Sequence, residues 1–184
     1  PQVPALEDGG DVLGCEVDAG RTPVDQQQDD RFAGRRHGAQ QRLLLAGQVH
    51  DLGKLRIPAE ILTKPGRLSD IEYRLIKEHP QAGYDLLKGI DFGFPVADIV
   101  HQHHERLDGS GYPQGLRGDQ MLPEARVLAV ADVFEAMSSH RPYRAALGVD
   151  AALAELKSGR GTLYDPAAVD ACVRLIREKG FSLD

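Results

Sequence analysis

The sequence predicts an all-α fold, and three observations carry that expectation. Apolar residues recur at helical spacing in successive segments, from residues 43–49 near the start to residues 169–176 near the end. Helix punctuation brackets those segments: Ser69 with Glu72 as a capping box, Pro95, Pro123 and Asp165-Pro166 as starts, and Gly89, Gly159 and Gly180 as stops. No run alternates apolar and polar residues convincingly enough to read as a strand.

Taken in order, residues 1–42 hold six Gly and six Gln, include the polar string 25–31, and show no sustained apolar period. They are expected to be irregular, which divides the chain into a divergent segment, 1–42, and a helical domain, 43–184. Leu43, Leu44, Leu45, Ala46 and Val49 then make a buried helical turn. It is expected to end where Gly53 takes a positive φ, presenting His50 and Asp51 at the last turn. Ile57-Pro58 and Lys64-Pro65-Gly66 mark a loop over 55–68 with one short helical turn, 59–63. Ser69 opens a helix whose inner face is read as Ile71, Leu75 and Ile76. Pro80 ends or kinks it at His79, because the residue before a proline is pushed out of helical geometry.

A further helix is expected over 81–88, with Tyr84 and Leu87 inward, and another from Val96 to about Glu105. His103 falls on the stripe of Val96 and Ile99, so its ring should face the core, with His104 about 100° further round. His101 reads as surface or as a neighbour of the site. The longest helix, 123–139, is apolar almost all round through Val127, Leu128, Val130, Ala131, Phe134 and Met137, with Asp132 in its middle. Asp150 is read as the cap of a helix to Ser158, and the last helix runs from Asp165-Pro166 to Gly180 with Val169, Cys172, Val173 and Ile176 inward.

Composition narrows the function classes. With 22 Lys and Arg against 28 Asp and Glu, the net charge of −6 argues against binding a nucleic-acid backbone, which needs a basic face. No apolar run approaches 18 residues and no basic-then-apolar leader is seen, so neither a membrane span nor a signal peptide is expected within this chain. Cys15 and Cys172 lie far apart without a CxxC, which reads as a reducing, cytoplasmic setting without a disulfide framework.

The chemistry-bearing residues form a series. His50-Asp51 is followed 28 residues on by His79, then by the pair His103-His104, then 28 residues later by Asp132. A lone His or Asp in a helical protein is more often a surface or satisfied core residue. Here, however, four of only seven histidines join the series. A neutral imidazole beside a carboxylate can bind one divalent ion, or the carboxylate can bridge two. Asp132, set in an apolar helix, would cost several kcal/mol if unpaired and so should meet a cation or partner. This thiolate-free set suits iron or manganese and admits zinc, cobalt or nickel, with two ions expected. Metal so held would lower the pKa of a bound water from 15.7 toward ~7, supplying a nucleophile without a Ser or Cys. Arg141 and Arg144 read either as surface cations or as a clamp on phosphate oxygens. The Gly-rich stretch Asp108, Gly109, Ser110, Gly111, Tyr112, Pro113 reads equally as a mere turn.

The run HDLGK, then KPGRLSDIEYRLIKEHPQAG, HHERLDGSGYP and VLAVADVFEAMSSHRPYR resembles the HD-GYP branch of the HD phosphohydrolases, bacterial phosphodiesterases that linearise cyclic di-GMP. The likeness covers about residues 43–179. It implies a helical-bundle domain with His50, Asp51, His79, His103, His104 and Asp132 as metal ligands. It also implies Lys54 beside the metals, near a substrate phosphate or the attacking water, where composition alone would read a solvated cation. The resemblance makes 108–113 a signature loop that shapes the pocket and meets partners such as GGDEF-type cyclases, in signal-transduction proteins that include two-component response regulators; a homodimer is compatible with it. It further implies an upstream helix carrying another His ligand. The only upstream His is His37, 13 residues before His50; Asp18 stands 32 residues before it, and neither is expected to bind metal. A divergent or frame-shifted start would account for that, and the other reading frames of the coding DNA would test it. Two functions follow: a phosphodiesterase giving pGpG and then GMP, or a catalytically impaired module that binds cyclic di-GMP or acts as a protein-interaction adaptor.

Overall fold

The structure is a computed structural model and describes residues 38–140 and 146–181. His37, Asp18, Cys15, Arg141 and Arg144 therefore lie outside the described residues. Helix α1 covers residues 38–49. A 3-10 turn, Leu52–Arg56, and a single helical turn, α2 (Ala59–Leu62), follow it. Then come α3 (Asp70–Lys77), α4 (His79–Leu87), α5 (Val96–Gln102), α6 (Pro123–Ser138), α7 (Val149–Ser158) and α8 (Pro166–Glu178). Among the described residues only isolated bridges, Asp108 with Arg117 and Arg160 with Tyr164, have extended pairing, so the expected all-α class holds. No described helix is long and apolar enough to cross a membrane.

Three apolar clusters hold the helices. Ala46 of α1, Ile99 of α5, and Ala125 and Leu128 of α6 form the first, with Leu43 and Leu122 packed against it. Leu87 of α4 meets Val96, Ala97 and Val100 of α5 in the second, where Leu45, Val49 and Tyr84 also pack. The third joins α6, α7 and α8 through Val130, Phe134, Leu153, Leu156 and Val169. Helix α5 is thus apolar on both sides and short, and the first two clusters meet across it. Helices α1 and α6 run side by side: Arg42 Nε donates to Glu124 Oε1 at 2.7 Å, and Gly47 faces Leu128 one turn further along.

The punctuation was legible. Ser69 and Glu72 form the reciprocal capping box, Pro123 occupies the first turn of α6, and Asp165 accepts N–H bonds from Ala167 and Ala168. Several details differ. Residues 38–42, expected to be irregular, are helical. Asp150 lies inside α7, whose cap is Gly148 at φ 91°, since only glycine enters by that backbone path without strain. Helix α5 ends at Gln102 rather than near Glu105.

Two predicted inner faces are partly outer. Ile71 and Leu75 on α3 are 69% and 45% exposed, because this short helix meets little besides the start of α4. Val127 and Ala131 on α6 are exposed too and line an open apolar groove of about 620 Å³ with Leu175 and Phe181.

Candidate metal centre

Residue by residue, the local structure delivers the donors. Helix α1 stops at Val49, and the chain turns through His50 and Asp51 into the 3-10 turn. Gly53 was expected to take a positive φ, but it is needed for a different reason: a Cβ there would lie 1.9 Å from the carbonyl oxygen of His79 and 2.6 Å from the nitrogen of Gly83. That backbone-on-backbone approach seats the His-Asp turn on the first turn of α4. His79 opens α4, with Pro80 following in the first turn, where its missing N–H is harmless. His103 and His104 sit at and just past the end of α5, and Asp132 projects from the middle of α6.

All six predicted donors converge. Asp51 Oδ1 is 3.4 Å from His79 Nε2, and Asp51 Oδ2 is 3.5 Å from His50 Nε2. Asp132 spans the other side, Oδ1 lying 3.8 Å from His50 Nε2 and Oδ2 3.7 Å from His104 Nδ1. Ligand atoms of His79, His103 and His104 all lie within 4.8 Å of one another. Lys54 Nζ donates to Asp51 Oδ2 at 2.6 Å.

Tautomers follow from the partners. The Nδ1 atoms of His50, His79 and His103 face the carbonyls of Gly47, Ile76 and Val100 at 2.7, 2.7 and 2.5 Å. A carbonyl only accepts, so each Nδ1 carries the proton and each neutral ring leaves its Nε2 lone pair free. Two such Nε2 atoms, of His79 and His103, then face each other 3.2 Å apart, with both rings 1% or less exposed. Two lone pairs aimed at each other this closely repel, and a cation between or beside them relieves that repulsion. Nitrogens each about 2.0–2.1 Å from one ion stand roughly 3 Å apart, so the spacing fits. The residues present therefore fit a divalent metal.

Burial, the largest influence, lowers the pKa of His79 and brings that of His103 down to about 3; it lowers His104 further still, helped by the neighbouring His103 and His79. Burial works to raise the Asp51 carboxyl, but the hydrogen bond from Lys54 and that lysine's positive charge, with the neighbouring imidazoles, outweigh it and hold the carboxyl below its usual range. In the unfolded chain these imidazoles take a proton near pH 6.5, whereas His103 in the fold resists until about 3. Between those values the unfolded state binds more protons, so stability falls as pH falls. Metal-free protein is expected to lose Tm steadily from about pH 6.5 downward and to be flat above 7.5. His103→Gln should shallow that slope; a wild-type Tm constant from pH 7 to 4 would contradict the reading.

The signature stretch is a structured loop rather than a mere turn. Asp108 caps it by accepting from the N–H and hydroxyl of Ser110, and Gly109 takes φ 81°. Tyr112 stacks on His104 with ring centroids 4.7 Å apart, and Lys77 Nζ lies over the same tyrosine ring, 4.5 Å from its centroid. Burial raises the Tyr112 phenol well above its usual range, so it stays protonated.

His101, read from sequence as surface or as a neighbour of the site, is buried: it stacks on Tyr84, and its Nε2 pairs with Gln81 Oε1 at 2.9 Å. Glu105 and Lys77 were missed. Neither lies on an apolar stripe, and the only sequence signal for Glu105 was its place directly after His103-His104.

A bundle that gathers imidazoles and carboxylates around an adjacent His-Asp pair defines a class, and the chain belongs to the HD domain family, whose model matches residues 33–168. Within that family its HDLGK, HHERLDGSGYP and RPYR motifs resemble those of the HD-GYP branch. The chain is 51% identical over 132 residues to the "Cyclic di-GMP phosphodiesterase response regulator RpfG" of Xanthomonas campestris pv. campestris (strain 8004), covering 71% of this chain and 35% of that protein. It is 40% identical over 137 residues to the "Cyclic di-GMP phosphodiesterase" of Thermotoga maritima, covering 72% and 37%. It is 37% identical over 137 residues to the "3'3'-cGAMP-specific phosphodiesterase 3" of Vibrio cholerae, covering 73% and 30%. The chain thus spans about a third of the length of these relatives. Among solved structures, "Bd1817, a HDG"Y"P protein from Bdellovibrio bacteriovorus" matches with a TM-score of 0.59 at 23% identity, over 74% of this chain and 44% of that one, a likeness of fold.

Proposed function

We propose that this chain is the catalytic domain of a metal-dependent phosphodiesterase that opens cyclic di-GMP to linear pGpG, and on to GMP, in bacterial second-messenger signalling. The observation that carries the reading is the pair of facing, unprotonated Nε2 atoms of His79 and His103, 3.2 Å apart, with Asp51 Oδ1 3.4 Å from the first of them. The substrate class comes from the relatives, two of those above being named for cyclic di-GMP and one for 3'3'-cGAMP.

His50, Asp51, His79, His103, His104 and Asp132 would hold two divalent ions, iron or manganese by donor type. Bound there, the ions supply Lewis acidity and an activated water near neutral pH. The chain's own residues do the rest. Asp51, which faces both His50 and His79, would hold metal together with them. Lys54 holds Asp51 ionised and leaves a cation at the mouth of the site for a phosphate oxygen. Tyr112 walls the pocket on the His104 side. Arg141 and Arg144, outside the described residues, are assigned to the phosphate by their guanidinium forks. The exposed edge of the signature loop, Asp108, Ser110 and Pro113, is the surface we assign to signalling proteins such as GGDEF-type cyclases. The free thiol of Cys172 suits a cytoplasmic setting.

Protein purified without oxygen and loaded with Mn or Fe should contain two metals per chain and release pGpG from cyclic di-GMP. Turnover of 3'3'-cGAMP in preference would move the substrate within the class. Metal-free protein that still binds cyclic di-GMP without cleaving it would replace the enzyme with a binding module.

A further inference from the structure

Glu105 has no part in the chemistry above, yet its carboxylate is wholly enclosed, at 0% exposure. Its Oε1 accepts the backbone N–H of Gln114 at 2.7 Å and of Gly115 at 3.1 Å, and its Oε2 accepts that of Leu116 at 3.0 Å. Three donors on one acceptor-only group suit a carboxylate and not an amide, which would turn an NH2 toward one of them. The loop is drawn in elsewhere as well. The Tyr112 N–H donates to the carbonyl of His104 at 3.3 Å, and Gly111 passes so close that a Cβ would lie 2.4 Å from Glu105 Cα. The consequence appears on the far side of the loop. His50, His79 and His103 are each oriented by a ring N–H donated to a carbonyl three residues back. His104 instead lies against the face of Tyr112, 28° from parallel.

We propose that Glu105 is a positioning residue for the metal centre: by tethering residues 114–116 from inside, it holds the Tyr112 ring against His104 and so fixes the plane in which that imidazole meets a metal ion. The inference rests on reading His104 as a ligand. The partners that orient metal-binding histidines typically matter by 10–100-fold in metal affinity, and here that partner is an aromatic face held at one remove by a buried carboxylate.

The test compares Glu105→Gln, Tyr112→Leu and, as a control, Leu153→Ala, which opens a cavity in the α6–α8 core away from the site. In metal-free protein, NMR of the histidine rings should show the upfield ring-current displacement of the His104 protons lost in both Glu105→Gln and Tyr112→Leu and kept in Leu153→Ala. Calorimetric titration with Mn2+ should show affinity lowered 10–100-fold in the first two variants only. The double variant should lose no more than either single one, as expected of residues acting through one contact. Should Glu105→Gln not fold, Glu105→Asp, one methylene too short to reach all three donors, is read in the same way. The proposal is overturned if Glu105→Gln behaves like Leu153→Ala, with Tm lowered but His104 signals and Mn2+ affinity unchanged, or if Tyr112→Leu leaves the His104 signals in place. Neither readout uses a phosphodiester, so an error in the assigned substrate would leave the result standing. Wild type that bound no Mn2+ would instead overturn the metal reading.

Discussion

Replacing His50 and Asp51 together by alanine should abolish hydrolysis of cyclic di-GMP, with a loss of roughly 10³-fold or more, given that partners one shell further out are already worth 10–100-fold. Asp51 faces both His50 and His79, while Asp132 reaches His50 and His104, so the double change removes the contact between the two halves of the donor set. It should do so without unfolding the chain. The side chains of His50 and Asp51 are 22% and 38% exposed, so truncation leaves an open notch rather than a sealed cavity. The Tm of metal-free protein should therefore move little while bound metal drops, and that pairing separates a lost site from a lost fold. Hydrolysis surviving in the double variant, with metal still bound, would remove these residues from the mechanism.

Gly53→Ala is expected to have the largest effect on stability of any single methyl addition near the site. The new Cβ would meet the backbone of His79 and Gly83 at 1.9 and 2.6 Å, and neither neighbour is a flexible side-chain tip that can swing away. Overpacking of this kind costs about 3 kcal/mol or more, or roughly 6–12 °C in Tm for a chain of this size. Because the approach seats Asp51 against His79, metal affinity should fall together with stability. Gly47→Ala is the contrasting case: its Cβ meets only Leu128 Cδ1, at 4.0 Å, within a helix. Alanine there should stabilise by about 0.5–1 kcal/mol. Equal Tm values for the two variants would refute the close-approach account of Gly53.

Much of the molecule was readable before any coordinates. The helix ends announced themselves through Ser69 with Glu72, Pro123 and Asp165, because capping is chemistry between residues two or three apart. His103 on the stripe of Val96 and Ile99 pointed inward as expected, and it is fully buried. The six donors were identifiable as a set because their residue types and order match a known branch, although the spacing alone would not say that they meet.

By itself the sequence determined the helical class, most element boundaries to within a few residues, and the kinds of atom available for a metal site. All of these depend on neighbours within about one helical turn. Only the tertiary structure decided that Ile71 and Leu75 face outward, that Gly53 serves a backbone crossing rather than a turn, and that Glu105 ties down the loop that carries Tyr112. An apolar stripe records which side of a helix prefers burial, but whether burial is supplied depends on what other segments arrive there. A hydrogen bond or close approach between residues 9 or 26 positions apart leaves no periodic trace, because it is fixed by where two separately formed elements come to rest.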